Sequence, residues 1–542
     1  MTRNKKAPAG AGPSGPVVLG FVDPNGQKWV EIEYKGATAL LACREFADRR
    51  GLWSKLSDRG LEIVGKTAQG TVIEQIDELD EFTPKLIFAR PGWFGGQFVN
   101  ASGRVFAPRG AEKGAVAFPP SPAKCGKSGT HGEWMSRVAA PLMGHPLPSF
   151  FLMSCFAAPM LGLAGRTDNF GFELAGEGGK GKSTTQRLMA SVVGPAMEKD
   201  RGYITTFYMT AAALERSMQW HADMPFIIDE ANLFGGEGSQ SANHRKMRDF
   251  GFQMASGTTK GRMDTPQQEG YRFVFVTSAN EPFNSLLEGA HRDVANAASD
   301  RLMSITVPEG DAGVFGALPE GFANYRQFTL ALETAMAEQY GTAMPKFLNA
   351  LVRARLADEQ RLKDRIRQRI DRFKLEIGAN QNNGSDDRVA EAFGLVYAAG
   401  DFARTRGVLP EGLDCLGAAV HCYTNFRATV PVRQSLPERL LAIATRPQTM
   451  TIDRRNFLRL TVKRMKEAGA FIREVKGEKL LLMIPEFGAR MFPDWNALKR
   501  TQDFVALHKA NNDRGGRGYH CRVRSNSKVD FFYAFRLPQD GN

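Results

Sequence analysis

Eight residues, Gly176-Glu177-Gly178-Gly179-Lys180-Gly181-Lys182-Ser183, fit the phosphate-binding pattern G-x-x-x-x-G-K-[ST] and constrain this chain more than any other feature. Such a loop works only between a buried strand and a helix. The flanks supply both: Phe170, Phe172 and Leu174 alternate as in a strand, and Thr184 to Val193 reads as a helix. Gly176, Gly178, Gly179 and Gly181 let backbone N–H groups curl around β- and γ-phosphates, so Gly176 to Thr184, with Glu177 and Lys180, is the expected nucleotide-binding stretch. Lys182 neutralises phosphate charge and the Ser183 hydroxyl ligates magnesium, so ATP and Mg2+ are the implied cofactors. A second Gly-Lys-Ser at 126–128 has Ser121 where the pattern needs glycine and lies in Pro- and Gly-rich sequence. It reads as a decoy.

An apolar run, Met224 to Ile228, ends in Asp229-Glu230. A buried strand of this kind places Asp229 at the sheet edge facing the phosphate loop, as a magnesium ligand through water, with Glu230 as general base for the attacking water. The next apolar strand, Phe273 to Thr277, is followed by Ser278-Ala279-Asn280. Asn280 either touches the γ-phosphate and the lytic water or shapes the turn before Pro282. Arg301, just before a strand over 302–307, points away from its own nucleotide and is useful only against a neighbouring subunit's ATP, which implies a ring; Arg292 is the rival for that role, and an ordinary surface arginine is the third reading. The 50 residues between Asp229 and Asn280 exceed what one helix needs. The surplus includes a loop over 235–241 and Ser256-Gly257-Thr258-Thr259-Lys260-Gly261-Arg262, where Lys260 and Arg262 either grip DNA phosphates in a channel or are simply solvated. Arg388 is a possible second nucleotide sensor.

A hydrophobic content of 42% in 542 residues supports three or four domains with real cores. The longest apolar run, 150–163, is too short to span a bilayer and reads as a buried helix. Six scattered cysteines without a Cys-x-x-Cys give neither a disulfide framework nor a zinc site, which fits a cytoplasmic protein. The net charge of +13 is concentrated at one end: residues 431–542 carry 22 Lys/Arg against 11 Asp/Glu, a field that attracts polyanions. The expected organisation is a disordered tail over 1–16, a small α+β domain over 17–108 with a hairpin at Asp23-Pro24-Asn25-Gly26 and a helix over 38–50, and a linker over 109–130. An α/β P-loop core over 131–345 follows, with strands near 170–175, 203–208, 224–229, 272–278 and 302–307. A helical region over 346–430, opening on one long helix over 345–377, leads to a basic, winged-helix-like nucleic-acid-binding domain over 431–542. Thr130-x-x-Glu133 is a capping box.

Phe156-Ala157-Ala158-Pro159-Met160-Leu161, Asn169-Phe170-Gly171-Phe172-Glu173-Leu174 and Ala190-Ser191-Val192-Val193-Gly194 resemble the domain-of-unknown-function 927 family, found in prophages, integrative elements and staphylococcal cassette-chromosome helicases. The resemblance continues through Ile228-Asp229-Glu230, 256–262, Asp300-Arg301-Leu302 and Asp387-Arg388-Val389-Ala390, and so covers most of the chain. The family's Ser-Ser-Thr-Gly-Lys-Thr is replaced here by Gly-Gly-Lys-Gly-Lys-Ser, which keeps the chemistry. The resemblance implies an AAA+-type ATPase, related to superfamily III-like helicases of mobile-element replication. It would form a homo-oligomeric, hexameric ring on single-stranded or forked DNA, alongside replication proteins and without a membrane. A primase-helicase is disfavoured, because the N-terminal domain is small and has no acid cluster. An ATP-switched DNA-binding initiator and a protein-remodelling module without strand separation are the alternatives.

Overall fold

The computed structural model describes residues 15–47, 49, 51–119, 121, 125–196, 202–207, 209–229, 250–258, 270–283, 298–379, 384–429, 436–452, 462–475, 477–492, 502–510, 519–521 and 530–537. The described residues up to 429 form one compact unit, and those from 436 onward a second.

The first unit opens with an antiparallel sheet of Val17–Val22, Lys28–Tyr34 and Ala37–Ala42, to which Thr83–Pro84 adds in parallel. At the first turn the Asp23 carboxylate accepts the N–H groups of Asn25 and Gln27, and Gly26 sits at φ 81°, so the hairpin legible in the sequence is present. The helix expected over 38–50 is not: Ala37–Ala42 is a strand, followed by the short 3-10 helix Cys43–Ala47. Lys35 and Gly36 both hold positive φ, the requirement of a two-residue hairpin turn whose twist matches the flanking strands. The returned strand is buried on both faces, with Leu41 against Leu52 and Leu56 and Leu40 against Ile87 and Ala117. Double burial erases the apolar–polar alternation by which a strand is recognised. A second hairpin, Gly92–Phe94 with Gln97–Val99, turns through Gly95 and Gly96, and the Trp93 indole donates to the Pro159 carbonyl at 2.8 Å.

Thr130 caps the next helix by accepting the Glu133 N–H, as the capping box predicts. The apolar helix Pro146–Ala157 is buried from Leu147 through Ala157, as a helix hydrophobic all round must be. It packs on a five-stranded, all-parallel sheet in the order Thr205–Thr206, Met224–Asp229, Phe273–Ala279, Phe170–Ala175, Leu302–Thr306. Every residue of the three middle strands is buried. All five strands run the same way, so their C-terminal ends share one edge. The sequence places all five correctly to within a few residues. The long helix expected over 345–377 is instead two, Ala343–Ala357 and Glu359–Glu376. Asp358 is extended and its carboxylate caps the second helix by accepting the Arg361 N–H, which starts a new helix; Leu356, just before the break, is exposed. The helices Gly384–Thr405 and Cys415–Thr429 complete the unit.

The second unit is a mixed sheet of Met450–Thr451, Ala470–Val475, Glu478–Met483, Asp530–Arg536 and His508–Lys509, with Tyr519–Cys521 pairing to Asp530–Arg536. Its core gathers Leu440, Phe471, Leu480, Leu482, Phe532 and Phe535. Of the basic helix expected over 453–468, Val462–Ala468 is helical, and 453–461 lie outside the described residues.

Gly171 faces its neighbour so closely that a Cβ built on it would lie 2.3 Å from the Phe275 ring. Gly171→Ala is therefore expected to destabilise the first unit by about 1–3 kcal/mol through overpacking. Urea unfolding measures this, and an unchanged midpoint would refute the close packing of these two strands.

Candidate functional site

Phosphate-loop geometry follows from where its strand ends. The Gly176 N–H donates to the Ala279 carbonyl at 3.1 Å and the Val307 N–H to the Ala175 carbonyl at 2.7 Å, which pins the start of the loop between two neighbouring strands. Gly176, Gly179 and Gly181 hold positive φ. At Gly181, the N-cap of the helix Lys182–Val193, a Cβ would also stand 2.6 Å from Val314 Cγ2, so only glycine fits there on both counts. Thr185 is the first residue whose N–H bonds back to this helix turn, at the Gly181 carbonyl. The N–H groups of Lys182, Ser183 and Thr184 are thus the helix's orphan donors, at its positive end, an anion-binding arrangement.

Lys182 Nζ folds onto the loop, donating to the Gly176 and Glu177 carbonyls at 2.5 and 2.8 Å and lying 3.4 Å from Asn280 Oδ1. Partial burial lowers its pKa, and the attraction of Asp229 works against that shift. Ser183 is exposed beside it. The Thr184 hydroxyl donates instead to Glu333 at 3.1 Å, so only its N–H faces the loop. Lys180 reaches out of the loop to the Gly310 carbonyl at 3.0 Å, while its own carbonyl accepts the Val314 N–H. The segment after the Leu302–Thr306 strand therefore braces the phosphate loop from outside.

Asp229, 6% exposed, accepts the Ser278 hydroxyl at 2.7 Å, and Gln186 Nε2 donates to the Ile228 carbonyl at 3.2 Å, locking the loop's helix against the Asp229 strand. Lys182, Ser183, Asp229 and Asn280 are accordingly gathered at the C-terminal ends of three adjacent strands. The arrangement holds an anion on backbone N–H groups and one ammonium, with a carboxylate and a hydroxyl alongside. These are hard oxygen donors of the kind Mg2+ prefers.

Arg301 is not brought to this edge. Its carbonyl accepts the Gly171 N–H at the start of the parallel strands, about 15–20 Å from the loop by strand rise, and its guanidinium lies 5.3 Å from the Phe252 ring centre. Arg388 is at that same far edge, 4.0 Å from Asp168, so it cannot sense a nucleotide in its own loop. Glu230, Lys260, Arg262, Arg292 and the 235–241 loop lie outside the described residues. The Gly126-Lys127-Ser128 tripeptide sits away from the loop: Ser128 pairs with Tyr340, and Gly341 donates to Ser191 near the C-terminal end of the loop's helix.

Residues 21–265 match the family model described as "Domain of unknown function (DUF927)". The match takes in a little under half of the chain. The matched stretch holds the phosphate loop and Asp229, while Asn280 and Arg301 lie beyond it. Among solved structures, the chain is similar to "SCCmec type IV Cch - active helicase", with 16% identity and a TM-score of 0.64 over 96% of this chain and 93% of that one. The two share a fold. A "NrS-1 C terminal region" structure is found at 11% identity and a TM-score of 0.27 over 70% of this chain and 84% of that one. No curated protein matches. Among the described residues no helix is long and apolar enough to cross a membrane, and no cluster of His, Cys, Asp and Glu is suited to hold a metal ion on its own.

Two polar residues at and beneath the site escape a reading of motifs. Ser278 orients Asp229, and its only trace in the sequence is a hydroxyl at a strand end. Glu173, in the middle of the loop's own strand, is fully buried and accepts the Ser304 hydroxyl and the Phe283 N–H, both at 2.6 Å. It ties together its strand, the Leu302–Thr306 strand and the segment that follows Asn280. Burial pushes its carboxyl up to about 7 from 4.5, against the pull of those two donors. Between about pH 4.5 and 7 the unfolded chain has released this proton and the folded one has not, so stability falls as pH rises through that window. Glu173→Gln, neutral at every pH, is expected to flatten this decline. Urea midpoints at the two ends of the window test it, and an unaltered pH slope in the variant would show that Glu173 is not the titrating group.

Proposed function

We propose that this chain is a magnesium-dependent ATPase with an AAA+-type core that assembles into a hexameric ring and acts as a helicase or translocase on single-stranded or forked DNA, in the replication of a phage or other mobile genetic element. The observation that carries the reading is the convergence of Lys182, Ser183, Asp229 and Asn280 on one sheet edge, with Lys182 Nζ 3.4 Å from Asn280 Oδ1. The strand order supports it. Because Phe273–Ala279 lies between the phosphate-loop strand and the Asp229 strand, its tip presents Asn280 between the lysine and the carboxylate.

In this reading Lys182 and the N–H groups of residues 176–184 hold the phosphates. Ser183 and Asp229 hold Mg2+, which when bound offsets the charge of the transferring phosphoryl group. Asn280 orients the attacking water, and Glu230, next in the chain to Asp229, takes its proton. Arg301, a strand's length from its own loop, serves a neighbour's nucleotide and makes hydrolysis depend on assembly. The basic segment 431–542, a helix-and-hairpin, winged-helix-like domain, supplies salt-dependent affinity for DNA, together with Lys260 and Arg262. The fold shared with a protein described as an active helicase is in keeping with this assignment.

ATP turnover with and without single-stranded DNA is the direct test. Strong stimulation is expected; turnover indifferent to DNA would favour an ATP-switched initiator or a protein remodeller.

The trans role has its own test. Lys182→Ala removes the charge partner of the phosphates and should nearly abolish turnover, and Arg301→Ala should lower it by about 10³-fold while preserving ATP binding. Mixed rings of the two variants contain composite sites with both parts intact and should regain activity. A mixture that co-assembles and stays as inactive as either variant would exclude Arg301 from a neighbour's site.

A further inference from the structure

The helix Glu359–Glu376, the helix Gly384–Thr405 and the end of Ala343–Ala357 enclose a cleft of about 760 Å³ that no residue of the phosphate site lines. Its floor is apolar, with Met160, Leu362 and Ile366, and its walls carry Arg361, Arg365, Arg369 and Arg406 against only Asp358 and Asp401. Both acids are already engaged. Asp401 is bonded to Arg369 and Arg404 at 2.7 Å each, and the Asp358 carboxylate caps a helix at the Arg361 N–H. Arg361 and Arg365 are exposed and form no ion pair among the described residues, and Arg406 lies over the Phe402 ring at 5.3 Å. Arg361, Arg365 and Arg406 therefore stand on one concavity with no ion-pair partner among the described residues, a field that attracts anions.

We propose that this cleft binds a single strand of nucleic acid. Arg361, Arg365 and Arg369 follow one another at four-residue spacing, about 6 Å apart along the helix axis, so one strand lying along the cleft meets them in turn. The half-buried Phe402 ring and the apolar floor suit unstacked bases, which a duplex keeps inside. The choice of nucleic acid as the polyanion rests on the function proposed above; the uncompensated charge of the cleft does not.

The test uses the full chain carrying Arg361→Gln with Arg365→Gln, both at exposed helical positions where glutamine keeps helix propensity. Binding of a labelled single-stranded oligonucleotide is followed by anisotropy across a salt series. The double variant is expected to bind about tenfold more weakly, with the salt slope reduced by about 1.4, which is ~0.7 per lost phosphate contact. The paired Arg→Lys variant should keep most of that slope, and DNA-free ATP turnover should be unchanged in both. Unchanged affinity and slope in the Gln variant, an equal loss in the Lys variant, or a wild-type chain that takes inorganic phosphate and no oligonucleotide would each overturn the proposal. If oligonucleotide binding depends on the two arginines while wild-type turnover ignores DNA, the cleft stands and the translocase reading falls. If turnover responds to DNA equally in wild type and variant, the reverse holds.

Discussion

The backbone of Phe170–Ala175 is bonded along both sides, to Phe273–Ala279 and to Leu302–Thr306, and these two seams hold everything near the phosphate loop in place. A loop that binds phosphate with its N–H groups cannot also use them to hold itself together. Its position must come from its ends. At the strand end the Gly176 N–H and the Ala175 carbonyl are spent on the two neighbouring strands, and at the helix end Gly181 is packed against Val314. Between those anchors the loop is free to present its donors. Glu173 sits where both seams meet and converts a buried carboxyl into a crosslink among three segments, at the cost of a proton held up to about pH 7.

A parallel sheet has two chemically different edges, and this chain treats them differently. The C-terminal edge collects Lys182, Ser183, Asp229 and Asn280. The opposite edge collects Arg301, Arg388, Asp168 and the nearly buried Arg166; Asp168 pairs with Arg166 and Arg388, and Ser385 bonds to Asp300 beside Arg301. Strand length alone separates the two sets, so no guanidinium of the second set reaches a nucleotide held in its own loop. Arg388, one turn into its helix, belongs to this edge and lies 4.0 Å from Asp168.

Much of this was readable from residue order. The glycines of 176–181, the hydrophobic run into Asp229 and the polar residues after Val276 are local signals with local causes: a turn that needs positive φ, a strand covered on both faces, an abrupt polar end. The hairpin at Asp23 to Gly26 was legible because one aspartate side chain satisfies its two N–H groups. Ala37–Ala42 is illegible for the opposite reason. Its leucines and alanines suit a helix, and it becomes a strand through the Lys35–Gly36 turn, which pairs it with Lys28–Tyr34, and through the residues that pack on both of its faces. The break at Asp358 was hidden because the apolar spacing runs through it nearly in phase, and the extended aspartate shows only in the backbone.

The sequence by itself determined that a phosphate-binding loop lies between a strand and a helix, that two further buried strands end in polar groups, and that positive charge gathers toward one end of the chain. Each of these depends on neighbours in the chain or on summed charge. Tertiary structure alone decided which strand lies beside which, and therefore that Asn280 stands near Lys182, that Ser278 holds Asp229 and that Glu173 is buried among groups from three segments. Strand order is a long-range property: apolar strands offer nearly interchangeable edges, and the choice among them is made by the packing of the whole sheet against Pro146–Ala157 and its companion helices.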